Sequence, residues 1–463
     1  MLKRIEVKNF KSIKHLDYKC ARLNLLTGLN GAGKSSFVQS LLLLRALEKH
    51  VEKECYEMPL CEIVGDDDEG ATFEDLKYCY AKPNEDVRFE IDFDVERSDN
   101  DHDKKPRHIV RVVKPHARDK HLICVWNTEC FEVAHVAESS ISLLWASMPD
   151  PESAASDDFK VRQDLADELQ KDAEGRIVEV MKQESAIVDD YRKLWKRVNM
   201  ISAFRGRPKH EHRGNPKGSW VFGFRFNPEG DDVVGFLAEH GMRCCLHEFP
   251  GETNPLIFPG TNMHDSLNPD DDTKNTFILE QIQRWLNIIS PGAKVACEKV
   301  EIGSRTRYIQ SVAYGDKKFK PENVGFGVSD ILPVLTTLLT SRPGDIVIIE
   351  NPEAHLHPKG QAKMGELLAR AAAYGVQLFV ETHSDHVING IRVAAAEKII
   401  KSEDVNIAFF ERKEHCDLSV DGAVKNETYA EVRNIKVDDQ GSLSEYPADF
   451  MDEWNNQLME LIS

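Results

Sequence analysis

The hydrophobic and polar positions at the start of the chain follow two different patterns. Residues 5–10 (IEVKNF) alternate, which predicts a strand with one buried face, and residues 23–27 (LNLLT) form an apolar run that predicts a fully buried strand. Residues 35–51 (SSFVQSLLLLRALEKHV) have a long apolar face and contain no Gly or Pro, as expected of a helix. A glycine-rich turn separates the buried strand from this helix.

The next part of the chain predicts antiparallel strands and then a helical insertion. Residues 86–94, 109–113 and 121–126 read as strands separated by charged loops. From 151 to 198 the chain is highly charged, and its apolar residues recur at helical spacings: Val161, Leu165, Leu169, Ile177, Met181, Val188, Tyr191 and Trp195. This pattern predicts an inserted helical hairpin, which is either a pair of ordinary surface helices or an arm that docks a partner.

The last part of the chain alternates between helix and strand patterns. Residues 205–275 are rich in Gly, Pro and Asn and are predicted to be mostly loops, and residues 276–289 form an amphipathic helix pattern. A strand pair is expected at Ala293–Glu301 and Arg307–Tyr314. The alternation that follows predicts a parallel sheet flanked by helices: ILPVLTTLLT, DIVIIE, QAKMGELLARAAAYG, VQLFVETHS and VNIAFFE.

Composition narrows the class of protein. With 41% hydrophobic and 30% charged residues, the chain is typical of a soluble globular protein, and no apolar run approaches the roughly 18 residues that span a bilayer. We therefore expect no membrane partner. The ten cysteines include no CxxC pair, which favours reduced thiols and a cytoplasmic location.

The net charge of −19 opposes tight, unaided binding of DNA. Two basic stretches, Lys104–Lys120 and Arg205–Lys217, are interpreted as solvated loops, with a local nucleic-acid patch as the alternative.

Residues 28–35 (GLNGAGKS) match the phosphate-loop pattern GxxxxGK[ST] between a predicted strand and a predicted helix. Glycines let successive backbone amides face the phosphates, and the helix N-terminus adds positive charge. Lys34 is expected to contact the β- and γ-phosphates of ATP, and Ser35 to ligate Mg²⁺.

Two later strands also end in polar residues. Glu350 follows an apolar strand, and His383 follows another; in open α/β sheets ligands lie at such carboxyl ends, beside the phosphate loop. Taken alone, His383 would be interpreted as a structural histidine. Glu353, His355 and His357 look like a metal cluster but lack a fourth ligand, so zinc is not expected.

Several motifs together resemble the ABC-type AAA ATPases of the SMC, RecF and OLD-like group: KNFKSIKHLDYKCARLNLLTGLNGAGKSS, NVGFGVSDILPVL, ENPEAHLHP, FVETHSDHVING and EYPADFMDEWNNQLMEL. The resemblance implies an α/β fold, the ABC-type ATPase head. This is a P-loop NTPase whose mixed sheet is joined to an antiparallel lobe, here carrying the helical-hairpin insertion. We expect four parts: 1–134, the N-terminal ATPase lobe; 135–200, the helical insertion; 201–400, the C-terminal ATPase lobe; and 401–463, a small C-terminal domain.

The resemblance also implies roles for individual residues. Those near the nucleotide base are Asn9, Phe10 and Lys11, and the phosphate loop comprises Asn30, Gly31, Ala32, Gly33, Lys34, Ser35 and Ser36. Glu350 takes the place of the Walker B acid and holds Mg²⁺, while His383 contacts the γ-phosphate. A signature segment with Gly325, Gly327 and Ser329 reaches the ATP of a second subunit, which implies a homodimer or a higher oligomer.

The sequence departs from the family pattern at two positions. Gly325 lies where a serine is expected, and Ser329 would compensate if it began the helix. Asn351 lies where a second acid usually activates water. An amide is no general base, so we expect slow hydrolysis, with Glu353 as the nearby acid.

Proteins of the OLD family carry a Toprim nuclease, but no DxD follows the ATPase motifs here, so no intrinsic nuclease is expected. Similar ATPases act beside a separate effector in Septu-like and PARIS-like phage-defence systems. The first hypothesis is therefore a sensor or scaffold ATPase that controls an HNH or Toprim nuclease. The alternatives are a DNA-repair or chromosome-maintenance ATPase that binds DNA directly, and a nucleotide-dependent structural protein.

Overall fold

The computed structural model describes residues 1–46, 55–59, 73–82, 85–94, 107–115, 121–127, 187, 189–205, 207–213, 226–242, 256, 277–418 and 424–462. The chain forms two compact units. The parallel-sheet unit comprises Met1, Cys20–Val38 and Arg197–Ser463, and the antiparallel unit comprises Leu2–Lys19 and Gln39–Lys196. Up to residue 186, the predicted helical insertion lies outside the described residues.

The strands, in chain order, are β1 (Leu2–Phe10), β2 (Ile13–Lys19), β3 (Leu23–Gly28), β4 (Cys55–Pro59), β5 (Val87–Phe93), β6 (Arg107–Pro115), β7 (His121–Asn127), β8 (Val198–Ile201), β9 (Glu211–Arg213), β10 (Ala293–Ile302), β11 (Arg305–Tyr314), β12 (Lys317–Phe319), β13 (Ile346–Glu350), β14 (Gln377–Glu381), β15 (Val405–Leu418) and β16 (Val424–Lys436). The helices are α1 (Lys34–Ala46), α2 (Phe73–Leu76), α3 (Val233–His240), α4 (Ile278–Ile289), α5 (Phe326–Thr340), α6 (Pro358–Tyr374), α7 (Asp385–Ala396) and α8 (Glu453–Ile462).

The antiparallel unit contains a six-stranded sheet with the order β2–β1–β5–β6–β7–β4. The strands predicted at 86–94, 109–113 and 121–126 are confirmed as β5, β6 and β7. Alternation along β5 buries Val87, Phe89, Ile91 and Phe93 on one face. Residues 189–196 are helical, and Trp195 is buried with its ring centroid 5.8 Å from that of Tyr191.

The parallel-sheet unit is built on a second six-stranded sheet with the order β16–β15–β3–β14–β13–β8. Within it β15, β3, β14, β13 and β8 are parallel, and β16 pairs antiparallel with β15. β3, β13, β14 and residues 405–410 of β15 are largely buried on both faces, which explains why they read as apolar runs. Their side chains share one hydrophobic core with α3, α4, α5, α6 and α7. The predicted parallel sheet flanked by helices is confirmed.

A smaller antiparallel sheet lies within the same unit. β10 pairs with β11 from Ala293 to Tyr314, and β9 and β12 also pair with β11. The predicted strand pair and the predicted amphipathic helix, now α4, are therefore confirmed.

The mixed α/β fold class, with parallel and antiparallel strands, is the one that the sequence predicts. The four predicted domain ranges differ from the two observed units. β3 and the phosphate loop belong to the same unit as the C-terminal half, and β15 extends the central sheet beyond residue 400. Strand order in space differs from order along the chain, and local hydrophobic patterns do not report it.

Candidate nucleotide site

The phosphate loop joins β3 to α1, as the sequence predicts. Gly28 ends β3 at φ +126°, and a Cβ there would lie 2.2 Å from the carbonyl oxygen of Phe410, so only glycine fits. Along the loop, Asn30 and Gly31 are exposed, whereas Ala32 and Gly33 are buried.

Lys34 is the first residue of α1 and is 4% exposed. Its Nζ donates hydrogen bonds to the carbonyl oxygens of Gly28 at 2.8 Å and Leu29 at 2.9 Å. Burial lowers the pKa of the Lys34 ammonium, and the charge of Glu381 opposes this shift. The ammonium group is thus held against the loop that would enclose the phosphates. Ser35 is exposed and Ser36 half-buried, one and two residues further along α1.

Two glutamates end two neighbouring strands on one side of β3. β14 lies next to β3 and β13 lies one strand further away, and Glu350 and Glu381 occupy the same register position at their ends. Glu381 Oε1 lies 3.5 Å from Ser35 Oγ, the donor in this contact. Glu350 Oε2 instead accepts the backbone N–H of Ala203 at 2.9 Å. Burial raises the pKa of Glu381, with Lys34 lowering it and Glu350 adding to the rise.

The turn after β13 holds Asn351 in a left-handed conformation, at φ +46°. Its backbone N–H donates to the Glu381 carbonyl oxygen at 2.8 Å, and its side-chain Oδ1 has no hydrogen-bond partner among the described residues. Asparagine tolerates this backbone region better than most residues do.

Glu353 points into the unit and is 9% exposed. Its Oε1 accepts the backbone N–H of His383 at 3.0 Å. Burial raises the pKa of the Glu353 carboxyl, against hydrogen bonds from the His383 amide and the Thr382 side chain. For His383, burial lowers the pKa of the imidazole, and the charge of Lys34 acts in the same direction. The structure therefore brings Lys34, Glu353 and His383 to one edge of the sheet.

Arg205 is a site residue that the sequence interpretation missed. It follows β8 and is 8% exposed, so the solvated-loop interpretation of Arg205–Lys217 is wrong at this position. Its Nη2 donates to the carbonyl oxygens of Glu350 at 2.5 Å and Asn351 at 3.0 Å. Burial lowers the pKa of the Arg205 guanidinium, while Asp330, Glu353 and Glu350 oppose the shift. The short apolar run VNMI at 198–201, which precedes Arg205 and forms β8, is the sequence signal that could have placed it at this sheet edge.

The signature segment begins α5. Gly325 is the N-cap residue, and a Cβ there would meet no atom within 4 Å, whereas at Gly327 it would lie 2.8 Å from the carbonyl oxygen of His355. Ser329 does not begin the helix, so the predicted compensation for the missing serine is wrong. Its Oγ is buried and has no hydrogen-bond partner among the described residues.

Asn9, Phe10 and Lys11, the three residues expected near the nucleotide base, lie in the antiparallel unit. Phe10 is 1% exposed and packs edge-on against Phe89 at 5.4 Å. Asn9 and Lys11 both have positive φ values, 55° and 50°, and Asn9 Nδ2 donates to the Asp86 carbonyl oxygen at 3.2 Å. The buried ring of Phe10 fills the core of its own unit.

The oxygen atoms of Ser35, Glu350 and Glu381 fit Mg²⁺, which prefers hydroxyl and carboxylate ligands. Among the described residues, no group of three or more His, Cys, Asp or Glu side chains could hold a metal ion. Glu353, His355 and His357 have different partners: the His383 amide, Asp330 at 3.4 Å and the Lys359 amide at 3.3 Å.

Three family models match different parts of the chain. The model of the AAA ATPase domain matches residues 1–214. A second model, described as an AAA domain, putative AbiEii toxin, type IV TA system, matches residues 251–389. A third, described as a protein of unknown function (DUF3696), matches residues 400–461.

Three solved structures are similar to this chain. They are an Smc head bound to the C-winged helix domain of ScpA (TM-score 0.43, 13% identity, covering 94% of this chain and 97% of that one), an Smc head with an extended coiled coil bound to the C-terminal domain of ScpA derived from Pyrococcus furiosus (0.41, 11%, 100% and 99%), and the SMC head domain from Thermotoga maritima (0.37, 10%, 93% and 98%). No curated protein matches the sequence.

No helix in the described part of the chain is long and apolar enough to cross a membrane. The strand–loop–helix unit with Lys34 lies within the range that the AAA ATPase domain model matches, so this part of the chain is similar to AAA ATPase domains.

Proposed function

We propose that this protein binds ATP with Mg²⁺, hydrolyses it slowly, and acts as a switch or scaffold that controls a separately encoded effector. The observation that carries the proposal is the convergence of Lys34, Glu350, Glu353 and His383 at one sheet edge, with Asn351 in the place of an acid.

The phosphate loop supplies the binding energy for ATP. Backbone amides of the loop and the N-terminus of α1 would contact the phosphates, and phosphate oxygens would replace the Gly28 and Leu29 carbonyls as acceptors for Lys34. A bound Mg²⁺ would neutralise charge that develops on the phosphates. Ser35, Glu350 and Glu381 offer the oxygen ligands, and His383 would contact the γ-phosphate.

Slow hydrolysis follows from the groups around the attacking water. Asn351 cannot accept a proton, and its backbone is fixed by the Glu381 carbonyl and a left-handed φ. Glu353 is the remaining acid, but its Oε1 already accepts the His383 amide and burial favours its neutral form, since the pKa is raised. Positioning and charge stabilisation still support turnover, which we expect to stay below roughly 1 s⁻¹.

A slow ATPase suits a two-state switch, because the ATP-bound state then lasts long enough for a partner to bind it selectively. The signature segment implies that this state is a homodimer or higher oligomer that closes on two ATP molecules. The family model that names a putative AbiEii toxin supports a defence role.

The C-terminal helix α8 supports a protein partner. Its Trp454, Leu461 and Ile462 are 76%, 84% and 72% exposed, and with Leu458 they form one face at helical spacing. From residue 437 to 463 the sequence contains seven acidic residues and no Lys, Arg or His. An apolar face within an acidic segment fits a partner with a basic surface better than a second copy of the same segment.

The experiment is native mass measurement of the complex purified with the products of neighbouring genes, with and without ATP. We expect an oligomer with a bound HNH or Toprim nuclease, and Glu350→Gln should remove the ATP-dependent change in partner binding. Leu461→Glu should weaken the complex without changing ATP turnover, whereas Glu403→Gln, at an exposed site, should change neither. A partner-free protein whose turnover DNA strongly stimulates would support direct action on DNA instead.

A further inference from the structure

We propose that Glu381 is a carboxylate ligand of the nucleotide-bound Mg²⁺, which it holds together with Ser35. Glu350 is then not the only acid that serves this metal. The inference rests on the proposed ATP binding and concerns which residue of that site holds the metal.

The order of the strands is the first argument. β14 is hydrogen-bonded to β3, the strand that leads into the phosphate loop, and Glu381 lies opposite Leu26 in that pairing. β13 is one strand further out, and neighbouring strands are about 4.8 Å apart. Because Glu350 and Glu381 occupy the same register position, Glu381 lies one strand closer to the phosphate loop than Glu350 does.

The second argument is the direction of each carboxylate. Glu381 Oε1 lies 3.5 Å from the hydroxyl of Ser35, the residue that directly follows Lys34. Glu350 Oε2 accepts the amide of Ala203, which follows β8 on the opposite side of β13. Glu381 therefore has a carboxylate oxygen beside the hydroxyl at the start of α1, whereas one carboxylate oxygen of Glu350 is engaged on the β8 side.

The third argument is chemical. A serine hydroxyl and a carboxylate with phosphate oxygens form the all-oxygen ligand set that Mg²⁺ prefers, and one or two carboxylates are its usual number in such sites. Glu381 is also only 7% exposed, and a metal cation between its carboxylate and the phosphates of ATP would offset their mutual repulsion beyond what Lys34 supplies.

Magnesium dependence of nucleotide binding tests the proposal without measuring turnover. The affinity for a fluorescent ATP analogue is measured in Mg²⁺ and in EDTA for the wild type, Glu381→Gln, Ser35→Ala, the double variant and Glu350→Gln. Glu403→Gln is the exposed control, and thermal melting without nucleotide checks that each variant folds.

Glu381→Gln is expected to weaken binding in Mg²⁺ at least about tenfold, by analogy with losses at other metal sites. In EDTA it should bind as tightly as the wild type or more tightly, because one negative charge near the phosphates has been removed. The double variant should lose no more than the larger single loss, since both residues hold the same ion. Mn²⁺ bound in the presence of ATP, counted by electron paramagnetic resonance, should fall in parallel.

Two outcomes separate this inference from the proposed function. If the wild type does not bind the nucleotide at all, the proposed function fails. If the wild type binds and Glu381→Gln keeps the full magnesium effect while Glu350→Gln loses it, only the assignment of Glu381 is overturned. Glu381→Asp, which keeps the charge on a shorter side chain, covers the case in which the glutamine variant does not fold.

Discussion

Glu353 Oε1 accepts a hydrogen bond from the backbone N–H of His383 at 3.0 Å. This contact joins the turn after β13 to the loop after β14, so the candidate base and the residue expected at the γ-phosphate are positioned together. A substitution at either Glu353 or His383 is therefore expected to change the position of the other residue.

Glu353→Gln should reduce ATP turnover about 100-fold, within the usual range for loss of a general base, because the amide cannot accept the proton of water. In the wild type, turnover should fall as the pH drops through the pKa of Glu353, which burial raises above that of an ordinary glutamate. That acid limb should be missing in the variant. Steady-state phosphate release across pH measures both effects, with Glu397→Gln as the exposed control. A wild-type rate in Glu353→Gln would exclude Glu353 as the base.

Lys34→Ala should abolish ATP binding, since the ammonium is the only side-chain cation that the structure places on the phosphate loop among the described residues. Calorimetric titration gives the affinity, and Lys401→Ala, 79% exposed before substitution, is the control. Retention of nanomolar-to-micromolar affinity would contradict the assignment of the loop.

Arg205→Met should lower the free energy of unfolding at pH 7 by about 3 kcal/mol, because it leaves neighbouring buried carboxylates without their cation. Burial raises the pKa of Glu353 and of Asp330, so the folded protein binds more protons than the unfolded chain, and ionising these groups costs stability as the pH rises. Without Arg205 this cost grows.

The destabilisation by Arg205→Met should accordingly be smaller at pH 5 than at pH 7 in urea denaturation. Arg207→Met, at an exposed neighbour, should change stability by less than ~0.5 kcal/mol. Equal losses for both variants would mean that Arg205 has no special role at the turn.

Gly325→Ser should place a serine where the family resemblance leads us to expect one, without a cost in stability. The N-cap position is open around a Cβ, its φ of −61° suits any residue, and serine is a favourable N-cap. We expect tighter ATP-dependent dimerisation in mass photometry. Gly327→Ser, whose Cβ would meet the His355 carbonyl at 2.8 Å, should instead destabilise the protein. An unchanged dimer in Gly325→Ser would indicate that the segment does not act across a dimer.

The sequence predicted the local parts of this site and missed those that depend on distant pairing. A strand, a glycine-rich turn and a helix are contiguous, so the phosphate loop was visible from residues 23–51 alone. Glu381 belongs to a motif that drew attention to His383, but its closeness to Ser35 depends on β14 pairing with β3, about 350 residues apart in the chain. Arg205 was hidden for a similar reason, because a loop rich in Gly and Pro gives no sign of burial.

The pairing of β3 also bears on how the protein is made. β3 is complete by residue 28, yet its two neighbours in the sheet begin at Gln377 and Val405. During synthesis the phosphate loop would therefore have no finished sheet beneath it until β14 and the paired part of β15, residues 377–410, have also been made. Such late closure of long-range pairs slows folding and exposes apolar strands meanwhile. A nascent chain would then gain nucleotide binding only after these two distant strands have paired with β3.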